Sequence, residues 1–308
     1  MNELKNASIA GIVSCVPKRK EVNADYFKGN EKDFHDFLRR VGVKERRTSN
    51  GQLTTSDLCI EASKALIRDL AWEVNDIDIL IFVSQTHDFN TPPTSSFIQS
   101  KLGLNKKVFL LDLNLGCTGW VSGLSTIVSL MIANNFKKGL LLCGETNILT
   151  NESDPGSYLL MGDAGTASAI VLDSDKETKM IFDFENYGNL HDAIISKQSK
   201  ARFIKQNFEH KNRNALSLAT VMDGEKLLIF TLRQVIPKIK EFLAKLEDST
   251  ENIDYFFFHQ ANKMFNDSII KKLNLPQEKV PFSLNSFGNT SSASIPLTIC
   301  YFGKEQVL

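Results

Sequence analysis

Residues 77–123, IDILIFVSQTHDFNTPPTSSFIQSKLGLNKKVFLLDLNLGCTGWVSG, decide the fold. IDILIFVSQT (77–86) is a short run of strand-forming residues, PTSSFIQSKLGL (93–104) changes to helical spacing, and VFLLDLNL (108–115) is apolar and strand-like again. GCTGWVSGLSTIVSLMIA (116–133) then opens on small residues and continues at the 3.6-residue period, so Cys117 falls at a strand-to-helix corner. Strands alternating with helices are the unit of layered α/β architecture.

Further along, the plan returns. IDYFFFHQAN (253–262), MFNDSIIKKLNL (264–275) and KVPFSLNSFGNTSSAS (279–294) repeat its pattern, though not its letters. A duplicated α/β unit is expected, with an N-terminal half over 1–173, a linker or insertion near the pocket over 174–215, and a C-terminal half over 216–308. YGNLHDAIISKQSKARFIKQNFEHKNRN (187–214) breaks the rhythm, and DGEKLLIFTLRQVIPKIKEFLAKL (223–246) reads as an amphipathic helix kinked or broken at Pro237.

Duplication gives three residues a shared logic. If the halves are related by a pseudo-twofold axis, corners after equivalent strands meet near it, and Cys117 faces Asn289. His259 arrives at the end of the preceding run. A helix N-terminus favours the reactive thiolate, and Gly116 and Gly119 let a substrate approach the backbone. Each residue also has an ordinary reading: Cys117 as a small core residue, His259 as a structural histidine, Asn289 as a cap or turn. Cysteine catalysis, however, uses a distant His brought near by the fold.

Composition sets limits on function. A chain of 308 residues with 42% hydrophobic content buries a large core, and zero formal net charge disfavours wholesale nucleic-acid binding. No apolar run is long enough to span a bilayer, and MNELKNASIAG (1–11) lacks the build of a signal peptide. Cys15, Cys59, Cys117, Cys143 and Cys300 form no C-x-x-C and lack metal spacing, which suits a reduced cytoplasm.

Cys117 in a G-C-x-G setting, the H-Q-A-N string at 259–262 and GNTSSASIP (288–296) together resemble the β-ketoacyl-acyl carrier protein synthase III family of thiolase-like condensing enzymes. SIAGIVSCVP (8–17), GVKERR (42–47) and MGDAGTASAIV (161–171) resemble further landmarks. The resemblance implies an α/β thiolase-like five-layer αβαβα sandwich with the active site between two pseudo-repeated halves. It implies an acyltransferase of lipid metabolism and fatty acid biosynthesis. Cys117 takes an acyl group from a short acyl thioester; malonyl-acyl carrier protein then decarboxylates, its enolate held by His259 and Asn289, and attacks the acyl-cysteine. Neither a metal nor another cofactor is implied; acyl-coenzyme A or acyl-carrier protein is substrate. An amide at Asn289 stabilises an enolate but takes no proton, which favours decarboxylative condensation over acyl transfer without decarboxylation.

The same resemblance assigns the outer residues. Arg40, Phe89, Pro92 and Asn262 fall to substrate binding, and Lys263, Lys271 and Lys272 to docking of an acidic carrier protein. Apart from the resemblance, a further basic run (Lys197, Lys200, Arg202, Lys205, Lys211, Arg213) either widens that patch or, with Glu209 in a loop-like setting, is a solvated segment, the reading given more weight. The THDFNTPPTSS loop (86–96) implies a homodimer. Two departures stand out. Asp36 and Pro155 occupy positions where family members sandwich the adenine of coenzyme A, unless Tyr158 or Arg39 takes over. The family's final strands and Gly-rich loop, which supplies one oxyanion-hole N–H, are expected to be truncated at GKEQVL (303–308). A degenerate, non-catalytic member is therefore the second alternative.

Overall fold

The computed structural model describes residues 1–146, 158–196, 220–246 and 250–306. Its centre is a five-stranded sheet of β2 (Ala7–Cys15), β5 (Ile79–Val83), β6 (Phe109–Leu113), β7 (Lys138–Glu145) and β8 (Ala164–Leu172), in the order β2-β8-β7-β5-β6. β5 pairs in parallel with both β6 and β7, whereas β7–β8 and β2–β8 are antiparallel. Three two-stranded ribbons flank it: β1 (Asn2–Lys5) with β9 (Lys179–Phe182), β3 (Lys20–Val22) with β4 (Glu45–Arg47), and β10 (Ile194–Ser196) with β11 (Thr220–Met222).

Every residue of β5 is buried because both faces of the sheet are covered. Leu80 and Phe82 point into a core shared with α2 (Thr55–Asp69) and α3 (Thr94–Leu102). Ile79, Ile81 and Val83 point the other way, into a core with Trp120, Leu124, Ile127 and Met131 of α4 (Gly119–Asn134) and Ile295 of the last helix. The period of two in the strand thus becomes two cores, each buried side chain contributing about 1.5–3 kcal/mol.

The second half shows the same alternation without a ladder. No strand is assigned among residues 253–262 or 280–283, contrary to the expectation from the apolar runs, although the Phe256 N–H donates to the Lys279 carbonyl at 2.8 Å. Side chains still alternate there. Phe256 and Phe258 enter a cluster with Leu243, Ile270 and Leu275, while Phe257 packs on the α4 side. That segment therefore lies between the α4 layer and helices α6 (Ile236–Lys245) and α7 (Lys263–Leu273). Helix, sheet, helix, extended segment and helix give the five layers that the resemblance implies.

The remaining helices are α1 (Glu31–Arg40), α5 (Gly224–Phe230), α8 (Leu284–Phe287) and α9 (Ser294–Gln306). The amphipathic stretch at 223–246 is broken as expected. A π-turn over Thr231–Val235 joins α5 to α6, just before Pro237, which has no N–H to continue the ladder.

Candidate active site

Cys117 lies in the turn between β6 and α4. Thr118 is the N-cap residue and helical geometry starts at Gly119, so the sulfur precedes the helix instead of sitting on its first turn. The residue keeps a solvent-exposed face. Surrounding protein nevertheless pushes the thiol up to about 11, chiefly by desolvation, with Glu145 adding to the rise; the Cys117 N–H and the Ser291 hydroxyl, both hydrogen-bonding the sulfur, act against it. Desolvation and Glu145 thus oppose the thiolate that the two hydrogen bonds favour.

Gly116 lies close to both Gln85 and the second half. A β-carbon there would fall 2.3 Å from Gln85 Oε1 and 3.1 Å from Ser291 Oγ. Ser291 belongs to the loop that carries Asn289, and Ser292 Oγ donates to the carbonyls of Val83 (3.4 Å) and Gly144 (3.2 Å). The 289–294 loop therefore crosses the C-terminal ends of β5 and β7, against the nucleophile turn.

Asn289 is 7% exposed and fixed from both sides. Its N–H donates to Leu160 O at 2.8 Å, and its carbonyl accepts the Gly162 N–H at 3.0 Å. Oδ1 accepts the Ser291 N–H at 2.9 Å, which turns Nδ2 the other way, towards Ala261 O at 3.4 Å. One amide proton remains for a ligand. Ala261 follows His259 by two residues, so the second segment meets the third here.

His259 has its Nδ1 2.7 Å from Ser294 Oγ, while Nε2 is buried without a partner. Burial lowers its pKa to about 4, so the ring is neutral at pH 7. A thiol, a neutral imidazole with an unengaged nitrogen and a half-engaged amide thus stand on three segments linked through Ser291 and Ala261. Such a set suits a nucleophile facing two donors to a developing oxyanion.

Outer residues fare unevenly. Asn262 Oδ1 caps α7 by accepting the Phe265 N–H at 2.9 Å. Lys263 pairs with Asp267 of the same helix. Lys271 joins Arg39, Arg40, Met264, Asp267 and Ser268 around a cleft of about 450 Å³ between α1 and α7, and Lys272 is exposed beside it. Arg40 Nε donates to Asp36 O at 3.4 Å, and Arg39 pairs with the Asp36 carboxylate at 3.1 Å. Tyr158 is engaged elsewhere, its ring under Arg46 at 4.2 Å and its hydroxyl on Glu21 at 3.3 Å. Phe89 is exposed and meets Phe97 edge-on, and Pro92 is also exposed, following a cis peptide. Pro155 and the basic run from Lys197 to Arg213 lie outside the described residues.

Sequence reasoning missed Ser291, Ser294 and Glu145. The serines carried no signal beyond the run of small residues. Glu145 did: a carboxylate closing the apolar run LLLCGE (140–145) has to be buried at a strand end. It is 3% exposed and accepts from the Gln85 N–H (2.9 Å) and the hydroxyls of Ser84 (3.2 Å) and Thr86 (2.7 Å).

Comparison with known proteins settles the kinship. Residues 111–188 match the family described as 3-oxoacyl-[acyl-carrier-protein (ACP)] synthase III, and 243–308 match its C-terminal part. β-Ketoacyl-[acyl-carrier-protein] synthase III of Clostridium perfringens is 31% identical over 300 residues, covering 96% of this chain and 90% of that protein. The chain belongs to the β-ketoacyl-acyl carrier protein synthase III family. The synthase III of Streptococcus mutans is 28% identical, over 95% of this chain and 88% of that one. A crystal structure of the 3-oxoacyl-(acyl-carrier protein) synthase from Burkholderia xenovorans superposes with a TM-score of 0.91 at 32% identity, covering 99% and 88% of the two chains. The thiolase-like fold of synthase III is thus shared, and among the described residues no helix is long and apolar enough to cross a membrane.

Proposed function

We propose that this protein is a β-ketoacyl-acyl carrier protein synthase III-type condensing enzyme in which Cys117, His259 and Asn289 perform the chemistry. The observation that carries the reading is the buried, unpartnered His259 Nε2, in a segment that the Asn289 amide touches at Ala261, while Ser291 of the Asn289 loop reaches Cys117. Cys117 loses its proton as sulfur attacks the thioester carbonyl of a short acyl donor, and the donor thiol leaves carrying a proton. Malonyl-acyl carrier protein then binds, and its carboxylate departs as carbon dioxide. The electron pair left behind becomes an enolate, whose oxygen accepts from His259 Nε2–H and Asn289 Nδ2–H. Its carbon attacks the acyl-cysteine, giving a β-ketoacyl product and expelling the Cys117 thiolate, which takes a proton from water to restore the thiol.

Acyl-coenzyme A and acyl-carrier protein are both donors in this scheme, and no further cofactor takes part. Lys271 and Lys272 with Arg40 offer an acidic carrier protein a positive rim, whereas Lys263 and Arg39 are paired with Asp267 and Asp36. Five free cysteines suit a reducing, cytoplasmic setting.

Intact mass spectrometry of the wild type and Cys117→Ala, after exposure to short acyl-coenzyme A and acyl-carrier protein, tests the nucleophile. A Cys117-dependent adduct is expected. Carbon dioxide release from malonyl-carrier protein tests the second half-reaction; His259→Ala and Asn289→Ala should each slow it by about two to three orders of magnitude. Acylation without any carbon dioxide release would instead establish plain acyl transfer.

A further inference from the structure

Ser294 stands 1% exposed at the first turn of α9 and touches the site only through His259. Among the described residues its hydroxyl has two partners: the Gln260 N–H at 3.3 Å and His259 Nδ1 at 2.7 Å. The main-chain carbonyl of Ser294 is taken by the Thr298 hydroxyl at 2.6 Å, so the backbone here is held independently of the side chain.

From this geometry we infer that Ser294 is a positioning residue that holds His259 in the tautomer with its proton on Nε2. The argument is a count of protons. A hydroxyl has one proton and two lone pairs, and a backbone N–H has only a proton to give. Towards Gln260, Ser294 therefore accepts, and its own proton is left for Nδ1. A bare Nδ1 accepts that proton, and a neutral ring then carries its single hydrogen on Nε2. The opposite tautomer would place two donors, Nδ1–H and Gln260 N–H, on one oxygen and leave the buried hydroxyl proton with no acceptor. A buried unpaired donor of that kind is disfavoured.

Two independent observations agree with this assignment. Nε2 is buried and unpartnered, which is where a donor reserved for a ligand belongs. Burial also depresses the His259 pKa, so the ring carries one proton and the choice of nitrogen has chemical consequence. The inference rests on the reading of His259 as a donor to the enolate oxygen, and it adds what makes that donor available before substrate arrives.

The test is a long-range nitrogen–proton correlation spectrum of the ¹⁵N-labelled protein at pH 7, with the His259 ring assigned by its loss in His259→Asn. Wild-type protein should show the Nε2–H pattern, and Ser294→Ala a mixture of tautomers. Decarboxylation of malonyl-carrier protein by Ser294→Ala should fall about tenfold in kcat with KM within twofold, since the binding surface is untouched. An Nδ1–H pattern in the wild type overturns the proposal, as does Ser294→Ala keeping both the Nε2–H pattern and the wild-type kcat. Should Ser294→Ala fail to fold, the wild-type spectrum alone still decides. Failure of the underlying reading looks different: His259→Ala would decarboxylate normally while the wild-type tautomer remained Nε2–H.

Discussion

Among single residues, Glu145 ties stability to pH outside the catalytic set. Burial raises its pKa to about 7 from 4.5, against the hydrogen bonds from Gln85, Thr86 and Ser84 that favour the carboxylate. Between those values the folded protein holds a proton that the unfolded chain releases. Stability from this group is therefore complete below about pH 4.5 and lost as pH rises through about 7. Urea unfolding at pH 5 and pH 8 should show wild type losing a few kcal/mol relative to Glu145→Gln. A mutant with the same pH slope as wild type would refute it. His259 has the opposite sign, being held neutral, and its ring signals should stay unprotonated from pH 8 down to about 5.

At the scale of elements, the site depends on how closely β8 and the Asn289 loop approach. Met161 forms a parallel bridge with Asn289, and a β-carbon on Gly162 would fall 1.9 Å from the Phe287 carbonyl oxygen. Gly162→Ala should thus cost about 1–3 kcal/mol of stability, as overpacking does. It should also slow malonyl decarboxylation more than cysteine acylation, because the Asn289 segment is what must move. Urea denaturation and the two half-reactions read this out; equal slowing of both would place the strain elsewhere. Much at this scale was legible beforehand. The change of period after VFLLDLNL located the Cys117 corner, and Pro237 marked the break between α5 and α6. What escaped depends on partners distant in sequence. Ser294 meets His259 across 35 positions, and Ser84 and Thr86 meet Glu145 across about 60. A cap at Thr118 also places Cys117 just before the helix and not on its first turn. The run YFFFHQ alternates as a strand does yet joins no ladder, since periodicity reports which faces are covered and not which edges are paired.

For the whole molecule, β6 is the informative edge. Among the described residues it pairs only with β5, and FLLDL is strongly apolar, yet none of its five residues is fully buried. An apolar edge left open is a template for another strand. A second copy of this chain, docked edge to edge, would cover it. Light scattering should report twice the chain mass, and Phe109→Lys, at an exposed position on that edge, should weaken association at least tenfold. A wild-type monomer at micromolar concentration would reject the arrangement.

Of the five cysteines, all within the described residues, Cys117 alone is exposed. An electrophilic dye added to the native protein would meet one accessible sulfur, so labelling should stop at a single equivalent. Because its thiol is held largely protonated at neutral pH, that labelling should be slow and quicken steeply in alkali. A reporter placed this way would sit in the mouth of the site, where it could follow by fluorescence the arrival of any molecule that enters.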